Sequence, residues 1–287
     1  MNGLEVAVLV AGASVYRLVP ITLNALAWQQ LLPSARRPRF RALLVLRWIG
    51  EAVNSLIPWV QVGGDVVRAR LLSRRGIPAP DAAAVMVVDL VLGVLTQLLY
   101  TTAALVAGPA RGTPTTRREL LAVAAIATGV LLLAAGPVLA HTLATGAGAR
   151  RWPGLARRIA AFHAAFRALA VDRRNLVGCS AWHLGAWLSQ AGETWLVLKG
   201  CGAPVTLTGA LWVDSLTAAA RTLAFFMPAG IGAQELALLA LGRSLGLAPG
   251  ALMILALVKR LRELAIGGLG FGAWVLVKRA GGREEAS

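Results

Sequence analysis

Glu51, Asp89, Glu193, Asp214, Arg221, Lys259, Arg260, Arg262 and Glu263 each interrupt a stretch of sequence that is otherwise apolar. In hydrocarbon an ionisable side chain costs several kcal/mol unless it is paired or hydrated, so such groups mark ion or substrate paths, or pair to hold helices together. Glu193, Asp214 and Glu263 fit the stapling role as well as a functional one. Arg221, Lys259 and Arg260 outnumber the acids that clearly neutralise them along the chain. A surplus of buried positive charge implies an anionic ligand, and in a membrane the obvious one is a phosphate-bearing lipid head group.

Two stretches combine charge with helix-breaking residues. In the first, Asn54 precedes Pro58, which ends a helix by removing its N–H; Gly63 and Gly64 permit a tight turn, and Asp65 can cap a helix carrying Arg68 and Arg70. A helix start aimed into the protein holds either an anion, which makes Arg68 a further head-group candidate, or its own capping carboxylate. In the second, Pro228, Gly230 and Gly232 are followed by Glu235 in the favourable first turn. Helix-start chemistry accounts for these residues as well as ligand binding does.

A shift of 170 residues places Pro58 on Pro228, Asp65 on Glu235 and Gly76 on Gly246, and also Glu51 on Arg221 and Asp89 on Lys259. This predicts a diverged duplication. Three full spans between the copies would give them opposite orientations, an inverted repeat of about 42–108 and 210–278 with two broken, re-entrant elements. The pseudo-two-fold axis can then join Glu51 to Arg221 and Asp89 to Lys259 as buried charge pairs.

Other chemistries lack their residues. His141, His163 and His183 are scattered, with no H-E-x-x-H and no Cys/His cluster, so no metal is expected. There is no G-x-S-x-G elbow and no Walker lysine, hence no expected catalytic nucleophile of that type, nucleotide or other cofactor. Cys179 and Cys201 sit at opposite ends of one predicted helix, too far apart to bond. The Gly268, Gly270, Gly272 run suits close helix packing.

These residues are positioned by an all-α, polytopic integral membrane fold. The chain is 57% hydrophobic and 15% charged, with mean hydropathy +0.68. Stretches 4–32, 82–108, 120–143, 176–198 and 251–277 are long enough to cross a bilayer, while 42–62 and 210–245 are interrupted. Irregular backbone survives at membrane depth only when buried or lining a wet cavity. One membrane domain, 1–280, and a polar tail, 281–287, are expected. The start has no basic leader and reads as a retained helix.

The net charge of +16 would suggest nucleic acid in a soluble protein, but the basic residues fall between apolar runs, where attraction to anionic leaflets puts them. Arg36, Arg37, Arg39, Arg41, Arg68, Arg70, Arg74, Arg75, the stretch 150–174 and Lys278, Arg279 and Arg283 read as cytoplasmic; 199–209 reads as external; Arg111, Arg117 and Arg118 fall on the wrong side. Within 150–174, Leu155, Ile159, Phe162, Phe166 and Leu169 share a helical face away from Arg157, Arg158 and Arg167, as in an interfacial helix or a packed connector.

GEAVNSLIPWVQVGGDVVRAR (50–70), RRGIPAPDAAAVMVVDLVLG (74–93) and FFMPAGIGAQE (225–235) resemble the transmembrane, flippase-like region of lysylphosphatidylglycerol synthases, closest to the stand-alone branch associated with hopanoid biosynthesis. The strongest parts are Asn54, Pro58, Gly63, Gly64, Asp65 and Arg68, and Pro228, Gly230, Ile231, Gly232 and Glu235. The resemblance implies a bacterial inner-membrane domain that moves or presents lipids, with the broken elements forming the site. In the synthases aminoacyl transfer belongs to a separate soluble C-terminal domain, so that activity is not expected of a chain ending at Ser287. Relatives commonly carry a further helix ahead of the stretch matching 4–32, so the start is either shortened or differently threaded.

The leading reading is therefore a translocator for an anionic, isoprenoid-linked or hopanoid-type lipid, driven by a gradient or a downstream sink, with Arg68, Arg221, Lys259 and Arg260 at the head group and the two breaks as gates. A membrane-embedded lipid-modifying enzyme would use Glu51, Asp65 or Glu235 as acid–base groups. A scaffold for lipid-biosynthetic enzymes would need none of the buried cations.

Overall fold

Alanine and leucine dominate the apolar stretches and both favour helix. The computed structural model is accordingly all-α over the residues it describes, 2–56, 63–107, 153–224 and 232–284. Its helices are α1 (Gly3–Tyr16), α2 (Leu18–Leu31), α3 (Phe40–Leu56), α4 (Gly63–Ser73), α5 (Ala79–Ala107), α6 (Pro153–Val171), α7 (Arg173–Gly200), α8 (Leu207–Leu223), α9 (Ala233–Ser244) and α10 (Pro249–Glu284). The expected span 120–143, Pro58, Pro228, Gly230, Ile231, His141, Arg111, Arg117 and Arg118 lie outside the described residues.

Two apolar cores form at opposite ends of α7. The first joins Leu31 and Leu32 to Leu43 and Leu46 of α3, Leu72 of α4, Ile77 and Val85 around the start of α5, and Cys179 of α7. Phe166 and Leu169 of α6 and Trp274 of α10 pack against it. The second joins Val197 and Leu198 to Ala13 of α1, Val213 of α8, Leu238 of α9, and Leu252 and Leu255 of α10. From Cys179 to Val197 the helical rise is about 27 Å.

Helix α3 therefore leaves the first core and α4 returns to it; α8 leaves the second core and α9 returns to that one. The chain forms two helical hairpins entering from opposite ends. Among the described residues, Arg36, Arg37, Arg39, Arg41, Arg74, Arg75, Arg173 and Arg174 lie in or beside the links at the first end, whereas Lys199 and Arg243 are the basic residues nearest the links at the second. The described residues thus carry the charge asymmetry expected from sequence, while Arg111, Arg117 and Arg118 lie outside them. Arg68 departs from it: counted with the basic flank, it is buried inside. Helix α6 is a connector packed on the first core, with Arg157, Arg158 and Arg167 exposed.

Both hairpins end in the same turn. At the first, Gly76 has φ +88° and Ile77 N–H donates to the Leu72 carbonyl (3.4 Å). At the second, Gly246 has φ +75° and Leu247 N–H donates to the Gly242 carbonyl (3.0 Å). Each glycine supplies the left-handed residue that closes a helix C-terminus, and the two turns are 170 residues apart, as the sequence shift requires.

The bundle is apolar outside and charged within. On α10, Met253, Leu257, Leu264 and Leu269 are exposed, Leu264 by 58%, while Lys259 and Arg262 are buried at 8% and 5%. Among the described residues, 3–31 and α5 are long and apolar enough to cross a membrane by composition alone. Helix α10 carries Lys259, Arg260, Arg262 and Glu263 within five positions, so its mean hydropathy understates how apolar its outer face is. Of the glycines near its end, Gly267 packs against Leu56 and Gly270 against Trp48 and Ala52, where added Cβ atoms would come within 3.1 and 2.8 Å; Gly268 and Gly272 face open space.

Candidate functional site

Asp89 lies on α5 between three cationic or protonatable groups. It accepts a hydrogen bond from Arg47 Nη1 of α3 (2.7 Å), lies 3.5 Å from Arg68 Nη1 of α4, and faces His183 Nε2 of α7 (3.0 Å). Arg68 also bonds Asp65 on its own helix and stacks over the Trp28 ring, 5.6 Å from its centroid. The second imidazole nitrogen, Nδ1, is 2.8 Å from Asn24 Oδ1 of α2.

Asp214 of α8 occupies the corresponding place in the other hairpin. It accepts from Lys259 Nζ of α10 (2.7 Å), Thr194 Oγ1 of α7 (2.7 Å) and the Tyr100 hydroxyl of α5 (3.1 Å). The registers match: Arg47 and Asp214 are each the eighth residue of a 17-residue helix, and Asp89 and Lys259 each the eleventh of the long helix that follows. One ion pair is built twice, with its polarity reversed. At the hairpin tips, Gly64 N–H donates to Asn54 Oδ1 (2.7 Å) and Arg221 Nη1 to Gln234 Oε1 (3.0 Å). These bonds also join like positions, the fifteenth residue of the first helix to the second residue of the next.

Between these bridges runs a belt of further pairs. Arg17, at the α1–α2 junction, donates to Glu51 through Nε (2.8 Å) and Nη2 and to Gln190 Oε1 (3.1 Å). Arg262 bonds Glu193 and lies 3.8 Å from Glu263. Glu263 in turn accepts from Arg221 Nη1 (2.5 Å) and Arg260 Nη1 (3.1 Å). Arg260 Nε reaches Glu235 Oε1 (2.6 Å), and Glu235 Oε2 caps α9 by accepting from Gly232 N–H (2.8 Å).

Several sequence expectations need correcting here. Glu51 faces Arg17, not Arg221, and Asp89 faces Arg47, Arg68 and His183, not Lys259. Equivalent positions of the two halves are not brought together; each pairs inside its own hairpin unit or with α1–α2 and α7. A single shift of 170 is also too simple. It fits the turns, α4 with α9, and α5 with α10, but α3 and α8 align at 167, so Arg221 corresponds to Asn54 and not to Glu51. The three-residue difference falls between the helices of each hairpin. The positive surplus is likewise not found at the named cations: Arg221, Lys259 and Arg260 each have a carboxylate partner. Acids remote in sequence, Asp214 and Glu235, supply the balance.

Asp65, expected as a helix-capping carboxylate, pairs with Arg68 on its own helix. The residues that sequence reading passed over are Arg17, Asn24, Arg47, Tyr100, His183 and Thr194. The available signal for one of them was the four-residue spacing of Cys179 and His183, which places both on one face of α7. With Asp89 they put a thiol, an imidazole and a carboxylate within 4.8 Å. Both imidazole nitrogens are engaged and two guanidiniums flank the carboxylate, a positive setting that disfavours a metal cation.

Apolar residues outward and paired charges inward define a membrane protein, since lipid rewards the first and tolerates the second only when neutralised. Residues 3–270 match the family described as "Lysylphosphatidylglycerol synthase TM region", and the chain belongs to that family. It is thus a membrane protein of a lipid-related family. Compared with curated proteins and with solved structures, the chain matches none.

Proposed function

We propose that this protein is a multi-pass translocator of the bacterial cytoplasmic membrane, built as an inverted repeat and carrying a phosphate-bearing lipid from one leaflet to the other. The observation that supports this most is the pair of hairpins that enter from opposite ends and converge on one belt of charge. Each hairpin offers a gate on its own side, and the belt offers polar partners at the depth where a head group most needs them.

Arg221 is the residue best placed to meet that head group. It stands at a hairpin tip, its side chain is 35% exposed, and its bonds to Gln234 and Glu263 both use Nη1. A guanidinium has five donors in a rigid fork, which suits a phosphate. Arg260 (23% exposed) stands beside it on Glu263, whereas Lys259 and Arg68 are enclosed in their bridges. Isoprenoid-linked and hopanoid-type lipids are the candidate cargoes suggested by the resemblance. Translocation needs no bond to be made or broken, and the paired state of the acids favours this reading over lipid-modifying catalysis.

The test is lipid retention. The protein and a folded Arg221→Gln variant are purified in mild detergent from the same membranes, and bound lipids are identified by mass spectrometry. One phosphate-bearing lipid enriched in the wild type and depleted at least tenfold in the variant is the expected result, to be followed by flipping assays with that lipid in proteoliposomes. Bulk lipid alone in both samples sinks the head-group assignment.

A further inference from the structure

His183 is buried at 4% exposure between two oxygens from different helices, Asn24 Oδ1 at 2.8 Å and Asp89 Oδ1 at 3.0 Å. An imidazolium donates through both nitrogens and satisfies both oxygens at once. A neutral ring has one donor and one acceptor, so it keeps Asp89 and meets Asn24 only if the amide turns to present its NH2. The site thus has two fully bonded states that differ by one proton and one amide rotation, with the heavy atoms in place in both.

We propose that Asn24, His183 and Asp89 form a proton-binding site whose occupancy controls the α3–α4 hairpin, making the proton the coupling ion of the transport proposed above. The route runs through Asp89. Its carboxylate is shared by Arg47 and Arg68, and Arg68 has a second carboxylate within reach, Asp65 on α4. A proton on His183 adds a third positive charge at Asp89 and weakens its hold on Arg68, which is already the longest of its contacts at 3.5 Å. Arg68 then belongs to Asp65 alone, and α4 loses its ionic tie to α5. Deprotonation restores the tie.

The other charged groups around α7 do not compete for this role. Glu193 is bound by Arg262, Asp214 is held by Lys259, Thr194 and Tyr100, and Arg17 bridges Glu51 and Gln190. Cys179, one turn before His183, is the remaining titratable neighbour on α7 and lies within 4.8 Å. At the second bridge the α7 partner is Thr194, eleven residues on and so on the same helical face, and threonine does not titrate. Among the described residues no histidine joins the second bridge, so the proton response proposed here belongs to the first hairpin.

The test uses full-length protein labelled with 15N-histidine, with the His183 signal assigned through His141→Gln and His163→Gln controls. The expected result is a change of protonation state within the pH range over which the protein stays folded, together with amide exchange in residues 63–73 that changes at least fivefold with the same midpoint. In His183→Gln that exchange is insensitive to pH. A His183 that keeps one state throughout overturns the proposal, and this readout does not depend on the variant folding. An equal pH response of residues 63–73 in folded His183→Gln overturns it as well. In proteoliposomes containing a fluorescent phosphatidylglycerol probe, an imposed pH gradient is expected to bias flipping at least tenfold in the wild type and not in the variant. Flipping that ignores the gradient overturns the coupling, whereas absence of flipping with both proton readouts intact counts against the transport reading and leaves the proton site standing.

Discussion

Asp89 and Lys259 hold the same position in their helices, 170 residues apart, and carry opposite charges. Each makes a 2.7 Å bond to the eighth residue of the preceding hairpin, Arg47 in one case and Asp214 in the other. Reversing both charges of an ion pair preserves its Coulomb energy, so a duplicated bridge can drift to the opposite polarity while the helix packing around it stays the same. The two bridges differ in what else they touch. Beyond its bridge partner, the acid at the first meets one further guanidinium, Arg68, and His183; the acid at the second meets the Thr194 and Tyr100 hydroxyls.

The second bridge should behave as a buried pair. Lys259→Ala leaves Asp214 charged with only the Thr194 and Tyr100 hydroxyls, and is expected to cost about 3–5 kcal/mol. The double variant Lys259→Met, Asp214→Leu removes both charges and is expected to recover most of that loss. Thermal unfolding of the three proteins in detergent checks this; a double variant no more stable than the single one would show that the bridge is not the source of the cost.

Helix α4 approaches α3 so closely that a Cβ on Gly64 would overlap the Gly50 carbonyl oxygen and lie 2.7 Å from Asn54 Oδ1. Gly64→Ala is expected to separate the hairpin and cost about 2 kcal/mol. Gly50→Ala meets only the flexible Arg68 side chain, at 2.6 Å from Cδ, and should be milder in stability while disturbing the Arg68–Asp89 contact. Gly76→Ala and Gly246→Ala, at φ +88° and +75° with open space around them, should cost about 1 kcal/mol each and nearly the same amount. Unequal costs would argue against equivalent turns.

Orientation can be read with thiol reagents. Cys201 lies at the end with few basic residues and a cysteine replacing Arg74 lies at the basic end. In intact cells a membrane-impermeant maleimide should label the first from outside and the second only after permeabilisation, each measured in a chain with Cys179 replaced by Ala. Labelling of both from one side rules out the proposed threading.

The outer face of α10 is expected to contact lipid. Leu264 is 58% exposed, and Leu264→Arg should cost about 3 kcal/mol of insertion free energy, seen as loss of membrane-integrated protein. In water the same substitution on an exposed position would be nearly neutral, so normal yield and integration would place this face away from hydrocarbon.

Much of this architecture could be read from residue type and order. Ala/Leu-rich runs specify helices whatever surrounds them, and the Gly-Gly-Asp at 63–65 and the glycines at 76, 232 and 246 mark helix starts and ends because the backbone requirements there are local. Among the described residues, arginine placement also announced which links share an end, because that preference acts on each link separately. Charges inside apolar runs flagged the site. Only the fold could say which acid each cation meets. Ion pairing depends on which helix faces touch, and neighbours such as Arg17 and Glu51, Arg262 and Glu193, or His183 and Asp89 are 34, 69 and 94 residues apart. The apparent excess of positive charge was a property of the linear chain. In three dimensions Asp214 and Glu235 cancel it at Lys259 and Arg260, because a low-dielectric interior admits these cations only beside an opposite charge.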